Sequence, residues 1–243
     1  MLGIISGSGV LPLFAAGESL TLPVSRYGTP SGIPRQIRIA GQNLVVLPRH
    51  GYPHHAAPHR INYRANIDTL VALGVTRVVA LTTVGGISPA AWTGRLVVPD
   101  QIIDYTWGRA HTFVDDEDAV THADFAEPFD ADLRVRLIAA ARDAGIDIGT
   151  DGVYGCTQGP RFETVAEINR MERDGCTLVG MTGMPEAGLA RERGLAYAML
   201  SLVVNPAAGR AQDPFDLDAI WRVMASGMES VQALLGRALA AGL

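Results

Sequence analysis

Short apolar runs rich in β-branched residues recur along this chain, each closed by Gly, Pro or Asn. Runs of that kind predict buried strands over 3–5, 36–40, 43–47, 75–81, 96–98, 153–156, 178–181 and 197–204. Stretches with a helical period lie between them. "DLRVRLIAAARDAG" puts Leu133, Leu137 and Ala144 on one face and stops at Gly145, as a helix ending on a left-handed glycine does. "PEAGLARERG" offers Pro185 for a first turn and Gly194 for a stop. Leu217, Ile220, Met224, Met228, Val231 and Leu235 follow at spacings of three and four, which predicts a long amphipathic helix packed on a sheet. Alternating strands and helices without repeat, low-complexity tract or linker predict one α/β domain built on a largely parallel sheet.

Composition narrows the class. The chain has 243 residues, 48% hydrophobic and 19% charged, enough for a sizeable core and unlike a disordered segment. A formal charge of −5 supplies no basic excess for a nucleic-acid backbone. No apolar stretch approaches the ~20 residues of a membrane span. The opening "MLGIIS" has no charged leader region and reads as a strand, so a cytoplasmic, reducing setting is expected. Cys156 and Cys176 form neither a disulfide framework nor a metal knuckle. All 20 basic residues are arginine. Schiff-base chemistry and the lysine of a P-loop are therefore excluded.

Six segments carry candidate chemistry, and each follows a predicted strand. "ISGSG" (5–9) combines glycines that admit an anion to the backbone with the Ser8 hydroxyl, although its spacing is not a dinucleotide fingerprint. "LPRHGYPHHAAPHR" (47–60) holds four of the six histidines. Pro53 and Pro58 break any helix that could align them, and no Cys or carboxylate accompanies them, so no metal is expected. Arg49 and His50 at a strand end suit an oxyanion better, because both can donate. "LTTVGG" (81–86) brings Thr82 and Thr83 before two glycines. "CTQGPRFETVAE" (156–167) delivers Phe162 and Glu163 at a helix start, where a first-turn carboxylate also suits the dipole. "VGMTGMPE" (179–186) runs a strand into Met181 and Thr182. "LVVNPAAG" (202–209) stops an apolar run at Asn205 and Pro206. Polar groups past successive strand ends define the edge where α/β sheets bind ligands. The acidic run "DDEDA" (115–119) reads as a solvated loop.

Taken in order, "SGSG", "RHG", "NYRAN", "TQGPRFETVAE", "GMTGMPE" and "VVNPAAG" resemble the motifs of the trimeric purine nucleoside and methylthioadenosine phosphorylases over nearly the whole chain. The resemblance implies a single nucleoside phosphorylase domain over residues 1–243. It implies a three-layer fold, with a mixed, mostly parallel central sheet flanked by helices. It implies phosphorolysis of a purine nucleoside in purine salvage, with inorganic phosphate as co-substrate and no cofactor or metal. Ser8, Arg49, His50, Thr82, Thr83 and Thr182 would then cradle phosphate, and Met181 would lie beneath the ribose. Phe162, Glu163, Asn205, Pro206 and Ala207 would meet the base, with Asn205 and His50 closest to the chemistry. His122 in "THADFAEPF" matches a position that reaches into a neighbour's sugar pocket, so a homotrimer is expected.

Two positions point to a 6-oxopurine. Glu163 can accept from N1–H, and the Asn205 amide can donate to the 6-carbonyl; the resemblance implies that a branch cleaving 6-aminopurines would carry Asp in place of Asn205 and no glutamate in place of Glu163. In relatives that use ordinary nucleosides a histidine in the C-terminal part of the chain meets the 5'-hydroxyl; no histidine follows His122 here, and the segment after Asn205 offers Phe215, Leu217 and Ile220 instead. The expected substrate is therefore S-methyl-5'-thioinosine, its apolar methylthio group against Leu217. A general inosine and guanosine phosphorylase or a methylthioadenosine phosphorylase is the alternative. A water-using nucleosidase fits the Arg49–His50 anion site poorly, and a non-catalytic nucleoside-binding protein would need no such site.

Overall fold

The computed structural model describes residues 1–9, 14–115, 120, 122–211 and 216–243. Phe215 and most of the acidic run lie outside the described residues. Strands β1 (Leu2–Ser6), β4 (Gln42–Pro48), β5 (Arg77–Gly86) and β11 (Ala196–Pro206) form the parallel centre of the sheet. They are almost continuously apolar because both faces are covered. Around them lie β2 (Glu18–Ser19), β3 (Arg35–Ile39), β6 (Leu96–Val97), β7 (Gln101–Asp104), β8 (Ile148–Gly149), β9 (Val153–Cys156) and β10 (Leu178–Gly180). The path runs β2-β3-β4-β1-β5-β10-β9-β7, while β11 joins β5 to β6 and β6 pairs with β8. The pairs β2–β3, β3–β4, β5–β10 and β6–β11 are antiparallel, so the sheet is mixed but mostly parallel.

Helices α2 (Ala131–Asp143) and α5 (Leu217–Ala240) cover one face through Leu133, Leu137, Met224, Met228, Val231 and Leu235. Helices α1 (Tyr63–Ala72) and α4 (Gly183–Glu192) cover the other. Helix α3 (Val165–Arg173) packs Ile168 and Met171 beside Val179 and Ala207. Side-chain caps fix the starts of four helices: Asn62, Asp130, Thr164 and Asp216 each accept from a first-turn N–H, satisfying donors that have no partner within the helix. Among the described residues, no helix is long and apolar enough to cross a membrane.

Three expectations about the strands and helix starts are corrected. β5 does not end at Leu81 but continues through Thr82, Thr83 and both glycines to Gly86. Those glycines serve close approach rather than termination. A Cβ on Gly86 would lie 1.9 Å from the Ala91 carbonyl oxygen, and one on Gly85 3.1 Å from Val179. β11 likewise runs past Asn205 to Pro206, its register shifting between Val203 and Asn205, and such an irregularity re-aims a side chain. Glu163 precedes helix α3 rather than opening it: Thr164 is the N-cap, and Glu167 completes a capping box. Pro185 does begin the regular part of α4, because Met184 before it is extended (φ −118°, ψ 141°).

Candidate functional site

The anion side starts from register. Ser6 of β1 pairs with Pro48 of β4, so Gly7–Ser8 and Arg49–His50 leave the sheet side by side. The Arg49 N–H donates to the Ser6 carbonyl at 2.8 Å. A Cβ on Gly7 would fall 3.0 Å from the Leu81 oxygen and 3.1 Å from Arg49 Nη1, so glycine there lets the guanidinium lie across the strand ends. Arg49 is wholly buried. Its Nε donates to Glu186 Oε2 at 2.6 Å, its Nη2 to Glu186 Oε1 at 2.8 Å and its Nη1 to the Leu81 carbonyl at 2.9 Å. Tyr197 donates to the same Glu186 Oε1 at 2.9 Å. Burial works against the Arg49 charge, but the paired carboxylate outweighs it and holds the pKa above the usual arginine value. One proton each on Nη1 and Nη2 is not used by these bonds.

His50 sets a second constraint. Its Nδ1 lies 2.8 Å from the Ala56 carbonyl, which can only accept, so Nδ1 carries the proton. In the neutral ring Nε2 is then an acceptor. Burial pulls the His50 pKa down to about 4 against the opposing Ala56 bond, with Arg49 and His54 adding to the fall. The imidazole is therefore neutral near pH 7 and cannot donate through Nε2. His54 stacks on it at 4.2 Å between ring centroids.

The remaining groups converge on β5. Val179 of β10 pairs with Gly85 in antiparallel sense, which directs the chain beyond Gly180 back along β5 towards Thr83 and Thr82. Thr182 is buried there, its N–H 3.4 Å from the Tyr154 hydroxyl. Thr82 is buried and shares a 2.8 Å hydrogen bond with Ser201, while Ser8 and Thr83 are half-buried. Burial keeps Tyr63, Tyr154 and Tyr197 protonated and pushes the Cys156 thiol up to about 12. Among the described residues, the buried formal charges are Arg49, Arg109 and Glu186, leaving one net positive charge around this centre.

A second group lies on the Gly85 side. Asn205 pairs with Gly85, its amide donating to the Pro206 carbonyl at 2.7 Å. Pro206 is exposed, and Ala207 is buried with its N–H on Gly86 O at 2.8 Å. Glu163 is half-buried and accepts from Thr157 Oγ1 at 2.6 Å through Oε1, which leaves Oε2 as an acceptor. Phe162 is exposed. Met181 lies under the same loop: a Cβ on Gly159 would sit 2.5 Å from its Sδ. Leu217 opens α5 at 50% exposure and His122 is exposed; neither belongs to the buried clusters.

Three residues of this centre were not singled out from the sequence. Glu186 stood in plain view in "GMTGMPE", but a glutamate in a helix's first turn is what the dipole favours, which hid its partner. Tyr197 opens the strand expected over 197–204, and nothing in the sequence around Arg109 marks it out. Among the described residues, no three His, Cys, Asp or Glu side chains gather as a metal site, and the histidine cluster spreads from buried His50 to exposed His54, His55 and His59.

The chain is similar to known proteins along nearly its whole length. Residues 2–240 match the model of the Phosphorylase superfamily. The chain is 50% identical to a Pseudomonas syringae pv. tomato protein named "Probable S-methyl-5'-thioinosine phosphorylase", over 98% of each. It is 38% identical to the 6-oxopurine nucleoside phosphorylase of Pyrococcus furiosus, over 96% of this chain and 90% of that one. It superposes on the methylthioadenosine phosphorylase of Schistosoma mansoni in complex with adenine with a TM-score of 0.91, at 30% identity, covering 98% of this chain and 90% of that chain.

Proposed function

The chain belongs to the phosphorylase superfamily, and from that premise we propose that it cleaves S-methyl-5'-thioinosine with inorganic phosphate, giving hypoxanthine and S-methyl-5-thioribose 1-phosphate in purine salvage. The observation that supports this reading is that buried Arg49 and Asn205 of β11 both meet β5, the first near its middle and the second towards its end. Arg49 Nη1 donates to the Leu81 carbonyl of β5 at 2.9 Å, Ser8 and His50 adjoin the Gly7 and Arg49 that meet there, and Asn205 pairs with Gly85 of the same strand. The 50% identity to the P. syringae protein across 98% of both chains supports the same substrate class.

The chemistry needs no protein nucleophile. A phosphate oxygen bonds to the anomeric carbon as the bond from that carbon to N9 breaks, and the bonding pair leaves with the purine. Positive charge gathers on the ribose and negative charge on the base. The dianion beside the ribose offsets the first, and hydrogen bonds to the base offset the second. Arg49 offers the phosphate its two unused N–H groups from a fork locked by Glu186, so no reorganisation is needed at the moment of reaction. His50, neutral and with Nε2 accepting, suits the proton that monohydrogen phosphate itself carries. Thr182 and Ser8 add hydroxyls, the Thr82–Thr83 segment lines the cradle, and Met181 packs beneath the sugar.

On the base, Glu163 Oε2 accepts from N1–H while the Asn205 carboxamide donates to the 6-carbonyl or accepts from a protonated N7. A 6-aminopurine turns an N1 lone pair towards the same carboxylate. An unmet buried polar group of this kind costs ~1–3 kcal/mol. Phe162, Pro206 and Ala207 wall the base. Leu217, exposed in the single chain, meets the methylthio group, and His122 reaches a neighbour's sugar site. The reading includes a homotrimer of single-domain, cytoplasmic subunits in which each site is completed across an interface that covers these two exposed positions. The test is base release with and without phosphate, with the sugar product followed by 31P NMR. Strict phosphate dependence and a new phosphate ester are expected. Hydrolysis at the same rate in phosphate-free buffer would make the protein a nucleosidase.

A further inference from the structure

We propose that Arg109 is a positioning residue that clamps the base-reading loop onto the phosphate side of the site and acts through Thr157 on Glu163; this rests on the base-reading role given to Glu163 above. Arg109 is 8% exposed and all five of its N–H groups are engaged. Nε donates to Gln158 Oε1 at 3.1 Å, Nη2 to the Gln158 and Thr157 carbonyls at 2.8 and 3.2 Å, and Nη1 to the Tyr63 hydroxyl at 3.2 Å and to the Met184 carbonyl. None of these acceptors is a carboxylate. A buried guanidinium spread over carbonyls and amides is costly unless every donor is met, and this one meets them with three separate chain segments.

What those segments carry gives the fork its purpose. Thr157 and Gln158 begin the loop that leads to Phe162 and Glu163, and Thr157 Oγ1 donates to Glu163 Oε1 at 2.6 Å. That bond fixes which carboxylate oxygen remains for the base. Met184 closes the turn that holds Met181 and Thr182, and its N–H also points at Cys156 Sγ, 3.2 Å away, at the end of β9. Tyr63 passes the hold onward by donating to the Pro58 carbonyl at 3.0 Å. Gly159 meanwhile seats the loop on Met181 and Pro58, where a Cβ would lie 2.5 and 3.3 Å from their side chains. One guanidinium thus sets the distance between the floor of the sugar site and the carboxylate that reads the base. A lysine could keep the charge but could not span these acceptors with a single ammonium.

The experiment compares Arg109→Lys, Thr157→Val and Glu163→Gln, each alone and with the first two combined in turn with Glu163→Gln. The readouts are KM for phosphate, KM for the nucleoside, and the kcat/KM ratio of methylthioinosine to methylthioadenosine. Arg109→Lys and Thr157→Val should each raise the nucleoside KM and lower that ratio by about tenfold, leaving the phosphate KM within about twofold, because only the base-side geometry is loosened. Adding Glu163→Gln to either should lower the ratio no further than Glu163→Gln alone, since residues acting through one another are not additive. A change in thermal stability with unaltered KM values and ratio would leave Arg109 a merely structural strut and overturn the proposal. If Arg109→Lys does not fold, Thr157→Val decides, because it keeps the Arg109 fork and removes the 2.6 Å bond to Glu163, with only a longer 3.3 Å contact to the Gly180 carbonyl lost beside it. If Glu163→Gln itself leaves the ratio unmoved, the base reading fails and takes this inference with it.

Discussion

Glu186→Gln probes the buried centre of the site more sharply than removal of Arg49. Arg49→Ala would strand a wholly buried carboxylate and confuse unfolding with lost phosphate binding. The Glu186→Gln substitution keeps the shape of the side chain and removes only its charge. Because Arg49 Nε and Nη2 meet the two oxygens of Glu186 at 2.6 and 2.8 Å, an amide in either flip must point its NH2 at one of the two donors. Tyr197, 2.9 Å from Oε1, can rotate its hydroxyl to accept, so one flip is relieved on that side alone. Arg49 is left buried without its counter-charge. Breaking a buried pair from one side typically costs about 3–5 kcal/mol. At about 2–4 °C per kcal/mol for a chain of this size, the melting temperature should fall by roughly 6–20 °C. Phosphate supplies the missing negative charge, so it should stabilise the variant more than the parent. At 100 times its Kd a ligand adds about 2.7 kcal/mol, and the variant's gain should exceed the parent's at equal phosphate. Differential scanning calorimetry across a phosphate series reads both effects. A variant melting within about 2 °C of the parent would show that the carboxylate does not hold Arg49. An identical phosphate shift in both proteins would remove the pair from the anion site.

Further outcomes follow from the same geometry. Asn205→Asp should move the ratio of 6-amino to 6-oxo activity towards the amino base, because a carboxyl group accepts from an exocyclic amine; Glu163 keeps the shift partial, and parallel kcat/KM values for the two bases check it. His50 has a folded pKa of about 4 below the ordinary ~6.5, so the unfolded chain takes up a proton first. Its contribution is full above about pH 6.5 and is lost as pH falls towards about 4, at most about 3 kcal/mol. Urea melts in phosphate-free buffer should show that loss, and His50→Asn should flatten it. Sedimentation should give three times the 25.8 kDa chain mass, and His122→Ala should raise the nucleoside KM without dissociating the particle; an active monomer would contradict the shared site.

The parallel centre of the sheet was legible because its strands are apolar on both faces and bounded by Gly, Pro or Asn. The two- to four-residue edge strands β2, β7 and β8 were not, since pairing with distant neighbours makes them strands rather than any local pattern. Gly85 and Gly86 misled for a physical reason: glycine signals a turn and a close backbone approach alike, and only the packed Ala91 and Val179 distinguish them. The candidate residues past strand ends stood out in the sequence as a set, because each follows an apolar run. Glu186 and Arg109 did not, because their roles lie in partners 137 residues away for the first and 46 to 75 away for most of the second's contacts. The His50 tautomer was equally invisible, since it depends on the carbonyl of Ala56 after the turn that follows it.

The most direct test is kcat/KM for S-methyl-5'-thioinosine, inosine and S-methyl-5'-thioadenosine, measured side by side at saturating phosphate. A 5'-hydroxyl buried against apolar side chains loses ~1–3 kcal/mol, and a methylthio group gains ~25 cal/mol for each Å² taken from water. Methylthioinosine should therefore exceed inosine by at least about tenfold. It should exceed methylthioadenosine by about tenfold as well, because Glu163 meets N1–H in one base and a lone pair in the other. Equal rates on inosine would make the chain a general purine nucleoside phosphorylase, and a preference for methylthioadenosine would contradict the base reading of Glu163 and Asn205.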